Sequence, residues 1–352
     1  MIMTKQWAII GAAALGLAAC QQGGSSGGGQ TGTRDTIRIV GSSTVYPFTT
    51  AVAEQFQRKN PQFKAPIVES TGTGGGMKLF CAGVGTGQPD IEDASRRIKK
   101  SEVETCQKNG VKDIVEIQIG IDGIALAENK SGAAMKLTPE DIYNALAKKP
   151  FGKEQTAQTW KDVNPSLPAT KIQVYGPPPT SGTRDAFGEL IMEKGCTTDA
   201  AMKALKEKDE DQYKAICTGL REDGAYVEAG ENDNLIVQKL AANPDAIGIF
   251  GYSFLEENGD KIRGIALNGI TPTYDTIADF SYPGARPLYI YVKAAHLKVI
   301  PGLKEFITEY SKAWDKGGYL TRRGLIAAPD DVRAKSVEIA QRLTPMDLAS
   351  VK

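Results

Sequence analysis

Apolar positions along this chain change rhythm repeatedly. A β-branched run at 36–40 gives way to Val45, Phe48, Val52 and Phe56, spaced as one face of a helix over 45–58. The unit recurs, with a strand expected at 65–69 and a helix opening at 77–82, and a polar helix follows at 101–109. Apolar runs at 114–119, 123–127, 171–175, 247–250 and 288–292 read as further strands. Helices are expected at 137–147, where Pro139 takes the first position, and at 184–194, 235–241, 303–314 and 332–343. Segments 70–76 and 90–97 read as loops, and Asp90, Glu92 and Asp93 in the second are expected to cap and solvate the helix that follows. Strands alternating with helices predict an α/β fold with a mainly parallel sheet covered on both faces. The length left after the N-terminal segment suits two domains of about 150 residues.

The first 33 residues follow neither rhythm. Lys5 precedes an apolar run at 7–17 that is too short to span a bilayer, and Leu17-Ala18-Ala19-Cys20 closes it with small residues. This segment looks like a bacterial lipoprotein signal peptide covering 1–19, which implies acylation of Cys20. Residues 20–33, dominated by Gly and Ser, then read as a flexible tether between lipid and fold. An extracytoplasmic, lipid-anchored body is expected, held to the membrane through the anchor only.

Composition narrows the chemistry. With 42 Lys+Arg against 42 Asp+Glu, the chain lacks the basic excess that a nucleic-acid backbone attracts. His296 is the one imidazole, which argues against His-based catalysis and His-rich metal sites. Beyond Cys20 there are four cysteines, Cys81, Cys106, Cys196 and Cys217, an even number for a compartment where disulfides persist. Three pairings are open. The local one, Cys81 with Cys106 and Cys196 with Cys217, is preferred because the separations are similar, and each closure would stabilise by about 3 kcal/mol. Zinc is disfavoured, since there is no C-x-x-C pair and no histidine nearby.

Candidate chemistry lies in three loops, 41–44, 72–76 and 181–183, each rich in Gly and hydroxyl residues and each between a strand and a helix. Helix N-termini present unpaired N–H groups, glycines admit an anion to the backbone, and Ser/Thr hydroxyls add donors. Capping alone would explain any single loop. Three at the carboxyl ends of strands, where open α/β sheets bind ligands, describe an oxyanion cradle. Neither a Walker loop nor a dinucleotide fingerprint is present.

The ordered set Gly41-Ser42-Ser43-Thr44-Val45-Tyr46-Pro47, Ser70-Thr71-Gly72-Thr73-Gly74-Gly75-Gly76, the segment 90–96, Ser181-Gly182-Thr183 with Phe187, and Asn243-Pro244-Asp245-Ala246-Ile247-Gly248 with Gly251-Tyr252 is specific. The chain resembles the phosphate-binding lipoproteins of bacterial phosphate ABC transporters over nearly everything beyond the tether. That resemblance implies a periplasmic-binding-protein, or Venus-flytrap, fold. Two lobes with mainly parallel sheets, 34–120 plus 284–352 and 121–283, would be joined by a hinge and close over inorganic phosphate for delivery to permease subunits. A monomer without cofactor or catalysis is expected. By the same resemblance, Ser43, Thr44, the Val45 backbone, Thr73 and Gly74 would donate from one lobe, and Ser181, Gly182 and Thr183 from the other.

Two positions depart from the family pattern. Ala94-Ser95 is followed by Arg96 where the best-known branch has an Asp that accepts the phosphate proton, and Pro177 stands where that branch has an Arg. Arg96, beside Ser95 and helped by Arg184, is expected to supply the guanidinium contact that oxyanions favour. Asp185, Asp122 or Asp233 are candidates for the missing acceptor. An acceptor separates protonated phosphate from sulfate, so its identity bears on selectivity and leaves another tetrahedral oxyanion such as arsenate in play. The competing class is an anchored phosphate-ester hydrolase, which needs an activated nucleophile or clustered metal ligands that the sequence does not display.

Overall fold

The computed structural model describes residues 34–179, 181–230 and 233–351, so the signal, Cys20 and the tether lie outside the described residues. Its strands are β1 (Arg38–Gly41), β2 (Ile67–Ser70), β3 (Ile91–Ala94), β4 (Ile114–Asn129), β5 (Lys136–Leu137), β6 (Val174–Gly176), β7 (Tyr226–Glu228), β8 (Ile247–Gly251), β9 (Ile262–Gly264), β10 (Ala266–Leu267) and β11 (Ala285–Lys293). Nine of them join in one mixed sheet, in the order β2-β1-β3-β11-β4-β8-β6-β7, with β9 also on β4. Its flanks are parallel, β1 between β2 and β3 on one side and β6 between β7 and β8 on the other. Antiparallel pairing is confined to the middle, where β11 and β4 pass through.

β4 is what makes two lobes from one sheet. Its 16 residues are one continuous strand, where two runs at 114–119 and 123–127 were expected. Val115, Ile117 and Ile119 pack with Ile37, Phe56, Leu288 and Trp314, whereas Ile121, Ile124 and Leu126 pack with Ile142, Trp160, Phe187 and Phe250. The apolar run therefore crosses from one core to the other without a break. On β11, Leu288, Ile290 and Val292 join the first lobe's core and Tyr291 joins a smaller cluster with Met77, Phe80 and Val103, because alternate residues face opposite sides of the sheet.

Three further elements differ from expectation, each for its own reason. α1 (Tyr46–Lys59) and α3 (Lys100–Lys108) fall within one residue of the periodic pattern. α2 (Thr73–Phe80) starts four residues earlier than position 77, so Gly74, Gly75 and Gly76 form helical turn rather than loop. Gly76 has no alternative, because a Cβ there would lie 2.1 Å from Glu92 Oε2 and 2.6 Å from Gly41 Cα. The loop expected at 90–97 contains β3, and Asp90, Glu92 and Asp93 are buried rather than solvating a helix start. Hydropathy rejects such a strand, since buried carboxyls are rare and costly. The helix expected at 184–194 runs from Gly182 to Cys196 with a π turn at Gly188–Met192.

Helices Ala200–Lys208 and Glu210–Cys217 were not anticipated, because the first buries no side chain and the second buries only Tyr213 and Cys217. Cys81 bonds to Cys106 and Cys196 to Cys217, the local pairing. Among the described residues no helix is long and apolar enough to cross a membrane.

A candidate anion site between the lobes

Parallel register brings the first lobe's loops to one edge. Gly41 pairs with Ser70 on one side and Asp93 on the other, so the chain leaves β1, β2 and β3 at the same level. Gly41 can turn there because its φ of 133° is open to glycine; a Cβ would lie 2.1 Å from the Asp93 carbonyl. Ser42 N–H then donates to that carbonyl at 2.7 Å, and Thr71 N–H donates to the Gly41 carbonyl at 2.8 Å. Ser42 Oγ accepts from Thr44 N–H at 3.2 Å and from Val45 N–H at 3.4 Å, which shapes the turn ahead of α1. Thr73 Oγ1 accepts from Ser95 N–H at 3.1 Å and lies 3.1 Å from Ser95 Oγ, joining the loops after β2 and β3. Gly74 has open space around it.

In the second lobe β6 leads into Pro177-Pro178-Pro179, and Ser181 caps the helix Gly182–Phe187 by accepting from Thr183 N–H at 3.2 Å. The two lobes touch here. Thr44 Oγ1 donates to the Gly182 carbonyl at 3.3 Å, and Ser43 Oγ donates to the Asp185 carboxylate. Gly182 is hydrogen at Cα for a reason, since a Cβ would lie 2.9 Å from both the Ser43 carbonyl oxygen and Thr44 Cα.

The arginines are placed differently from expectation. Arg96 makes the bidentate contact foreseen for it, but to Glu102, at 2.7 and 2.9 Å. Its side chain is about one-third exposed, and the Glu102 carboxylate holds its guanidinium on the first lobe. Arg184 turns away, donating to the Pro177 carbonyl at 3.0 Å and lying 4.6 Å from the Tyr226 ring centre, where it braces the proline loop.

A third arginine was missed by sequence reasoning. Arg286, on β11, is 7% exposed and reaches both lobes: Nη2 donates to Thr44 Oγ1 at 2.9 Å, Nε to Asp122 Oδ2 at 3.1 Å, and Nη1 to Glu189. It opens the strand-like run at 285–293 without the Gly/Ser/Thr loop pattern that marked the other candidates, so the signal in the sequence is a charged residue inside a strand pattern. Of the candidate acceptors, Asp185 meets Ser43, Asp122 meets Arg286, and Asp233 accepts from Gly251 N–H at 3.2 Å.

Burial raises three carboxyls around this edge. Asp122 is held above the usual carboxylate range, with Arg286 opposing the shift. Glu92 is raised well above it by burial and then by neighbouring Asp93, and neither of its oxygens has a hydrogen-bond partner. Asp93 is pushed up to about 8 by burial, with Thr49 opposing. Among the described residues no group of three His, Cys, Asp or Glu side chains is arranged to hold a metal ion. The edge therefore offers hydroxyls, backbone amides and guanidinium groups, the donor set that recognises an oxyanion.

Comparison with known proteins agrees with this donor set. The PBP superfamily domain matches residues 26–312. Protein SphX of Synechococcus elongatus is 34% identical over 305 residues, covering 84% of this chain and 78% of that protein. The phosphate-binding protein PstS of Staphylococcus saprophyticus is 33% identical over 335 residues, covering 92% and 91%. The crystal structure of a possible phosphate binding protein from Planctomyces limnophilus superposes with a TM-score of 0.71 at 31% identity, covering 87% of this chain and 98% of that one. The chain belongs to the PBP superfamily and, within it, to the family of the phosphate-binding proteins PstS.

Proposed function

We propose that this protein is an extracytoplasmic solute-binding protein of an ABC transporter that captures inorganic phosphate between its lobes. Acylated Cys20 would tether it to the membrane, and the loaded, closed form would dock on permease subunits. The observation that carries the reading is the meeting of Ser43 and Thr44 from one lobe with Gly182 and Asp185 from the other. In this reading Ser43, Thr44, Val45 N–H, Thr73, Gly74 and Ser95 donate from one side and Ser181, Gly182 and Thr183 from the other. The positive charge between the lobes comes from Arg286, because Arg96 is engaged by Glu102 and Arg184 braces the proline loop. The lobes are 34–120 with 284–352 and 121–283, a division supported by the change of core along β4. Asp185 is the acceptor candidate that stands at the gap, and it would favour the protonated anion over sulfate.

Calorimetric titration tests this. Phosphate is expected to bind with a Kd of about 1 μM or below and sulfate at least about a hundredfold more weakly, a difference of about 2.7 kcal/mol. Equal affinities would overturn the phosphate assignment in favour of a general tetrahedral-oxyanion binder. Turnover of phosphate esters that disappears on Ser43→Ala would overturn the binding reading itself. Labelling with radioactive palmitate should mark the full chain and not Cys20→Ala.

A further inference from the structure

Arg286 carries more negative charge than it can neutralise. One guanidinium faces two carboxylates, Asp122 and Glu189, and also donates to the Thr44 hydroxyl, one of the groups expected to hold the anion. The two carboxylates differ in what surrounds them. Asp122 belongs to β4, is 15% exposed and is paired through Nε, whereas Glu189 sits on the π turn of the second lobe with 56% of its side chain exposed. Glu189 also borders a cavity of about 300 Å³ whose lining includes the cations Arg184 and Lys214 and the carboxylates Asp185 and Glu193, so a released side chain has room to turn and can pair there with a cation.

We infer that Glu189 is a tethered occupant of the anion site: its carboxylate holds Arg286 while no oxyanion is bound, and an arriving oxyanion takes its place on the guanidinium. This deepens the reading of the previous section and rests on it. An anion that entered beside both carboxylates would meet a net negative cluster, and like charges repel more strongly where water is partly excluded. Glu189 holds the guanidinium through Nη1 alone, so exchanging its carboxylate for an oxyanion avoids adding a third negative group and opens the forked contact that guanidinium favours. Asp122, on β4 directly opposite Arg286 of β11, stays as the positioning group that aims the guanidinium. Glu189 also links the second lobe to β11, so its departure couples loading of the site to a change at the lobe boundary.

The test titrates phosphate, arsenate and sulfate into the wild-type protein, Glu189→Gln and Arg286→Lys, with circular dichroism confirming that each variant is folded. Glu189→Gln removes the competitor and is expected to bind the preferred anion about tenfold more tightly. Arg286→Lys keeps charge but loses the fork and is expected to bind it at least tenfold more weakly. A Glu189→Gln protein that binds all three anions no more tightly than wild type overturns the inference. Wild type that binds sulfate as tightly as phosphate, with Glu189→Gln tightening both, overturns the phosphate assignment and leaves the inference standing. A crystal structure with anion bound is an independent readout: Glu189 still paired with Arg286 would overturn the exchange.

Discussion

Two buried charge clusters sit at opposite ends of the first lobe's strands, and they are built with opposite ratios. At the entry to β3, one carboxylate, Asp90, collects Arg34 at 2.6 Å, the Arg38 N–H at 2.7 Å and His296 Nδ1 at 2.6 Å, while His296 Nε2 faces the Val84 carbonyl at 2.9 Å. Asp90 and His296 are sealed, at 0% and 1% exposure. At the other edge one guanidinium, Arg286, is shared by two carboxylates and a hydroxyl, and one of those carboxylates is more than half exposed. Three donors converging on one sealed carboxylate engage both of its oxygens and leave no accessible partner to exchange. Two carboxylates on one cation leave surplus negative charge beside an accessible partner. The first arrangement ties the chain's entry to the sheet; the second is poised to trade a partner.

The sharpest way to break this comparison is Asp90→Ala. It strands Arg34 and His296 without their shared partner, and a loss of about 3–5 kcal/mol in denaturant unfolding is expected, with phosphate affinity unchanged in the folded fraction. A comparable loss of affinity would show that the two clusters are not separable.

Next in size is the pH dependence set by Asp93, which lies with Thr49 and Tyr310 in the first lobe's interior. Its carboxyl is raised from 3.8 to about 8, so the folded form keeps a proton that the unfolded form releases. The stability this contributes is fully present below about pH 4 and is lost as pH rises toward 8. From pH 5 to 8 the loss is on the order of 3 kcal/mol, and Asp93→Asn should flatten the profile while wild type declines. Parallel profiles for the two proteins would contradict the protonated assignment.

Gly182→Ala is the smaller, more local perturbation. The added methyl would lie 2.9 Å from the Ser43 carbonyl oxygen and Thr44 Cα, so the lobes must stand further apart to admit it. Phosphate affinity is expected to fall about tenfold, close to 1.4 kcal/mol, with little change in melting temperature. Gly188→Ala is the control, since its nearest neighbour would be Thr218 at 3.6 Å, an ordinary contact, and affinity should hold.

Much of this was legible in order along the chain. The rhythm of apolar residues locates β1, α1, α3 and the strand at 247–251, and the three Gly/hydroxyl loops contain Ser43, Thr44, Thr73 and Gly182. Those signals are local: a 3.6-residue period, a glycine where backbone must come close, a hydroxyl ahead of a helix. Arg286, Glu189 and Glu92 gave no such signal. Each is a charged residue whose role depends on what faces it from other elements: Glu92 lies against Gly41 and Gly76, and Arg286 meets Asp122, Glu189 and Thr44 at separations of 164, 97 and 242 residues.

β3 is the clearest example of the divide. Read alone, Ile91-Glu92-Asp93-Ala94 is too polar for a buried strand, and only parallel pairing with β1 and antiparallel pairing with β11 enclose it. The sequence by itself determined the alternation of strands and helices, the disulfide-ready cysteines and the hydroxyl-rich turns, because these follow from neighbours within a few residues. Tertiary structure alone decided which arginine sits between the lobes and which carboxylates attend it. Charges act through space, and the folded chain sets their distances.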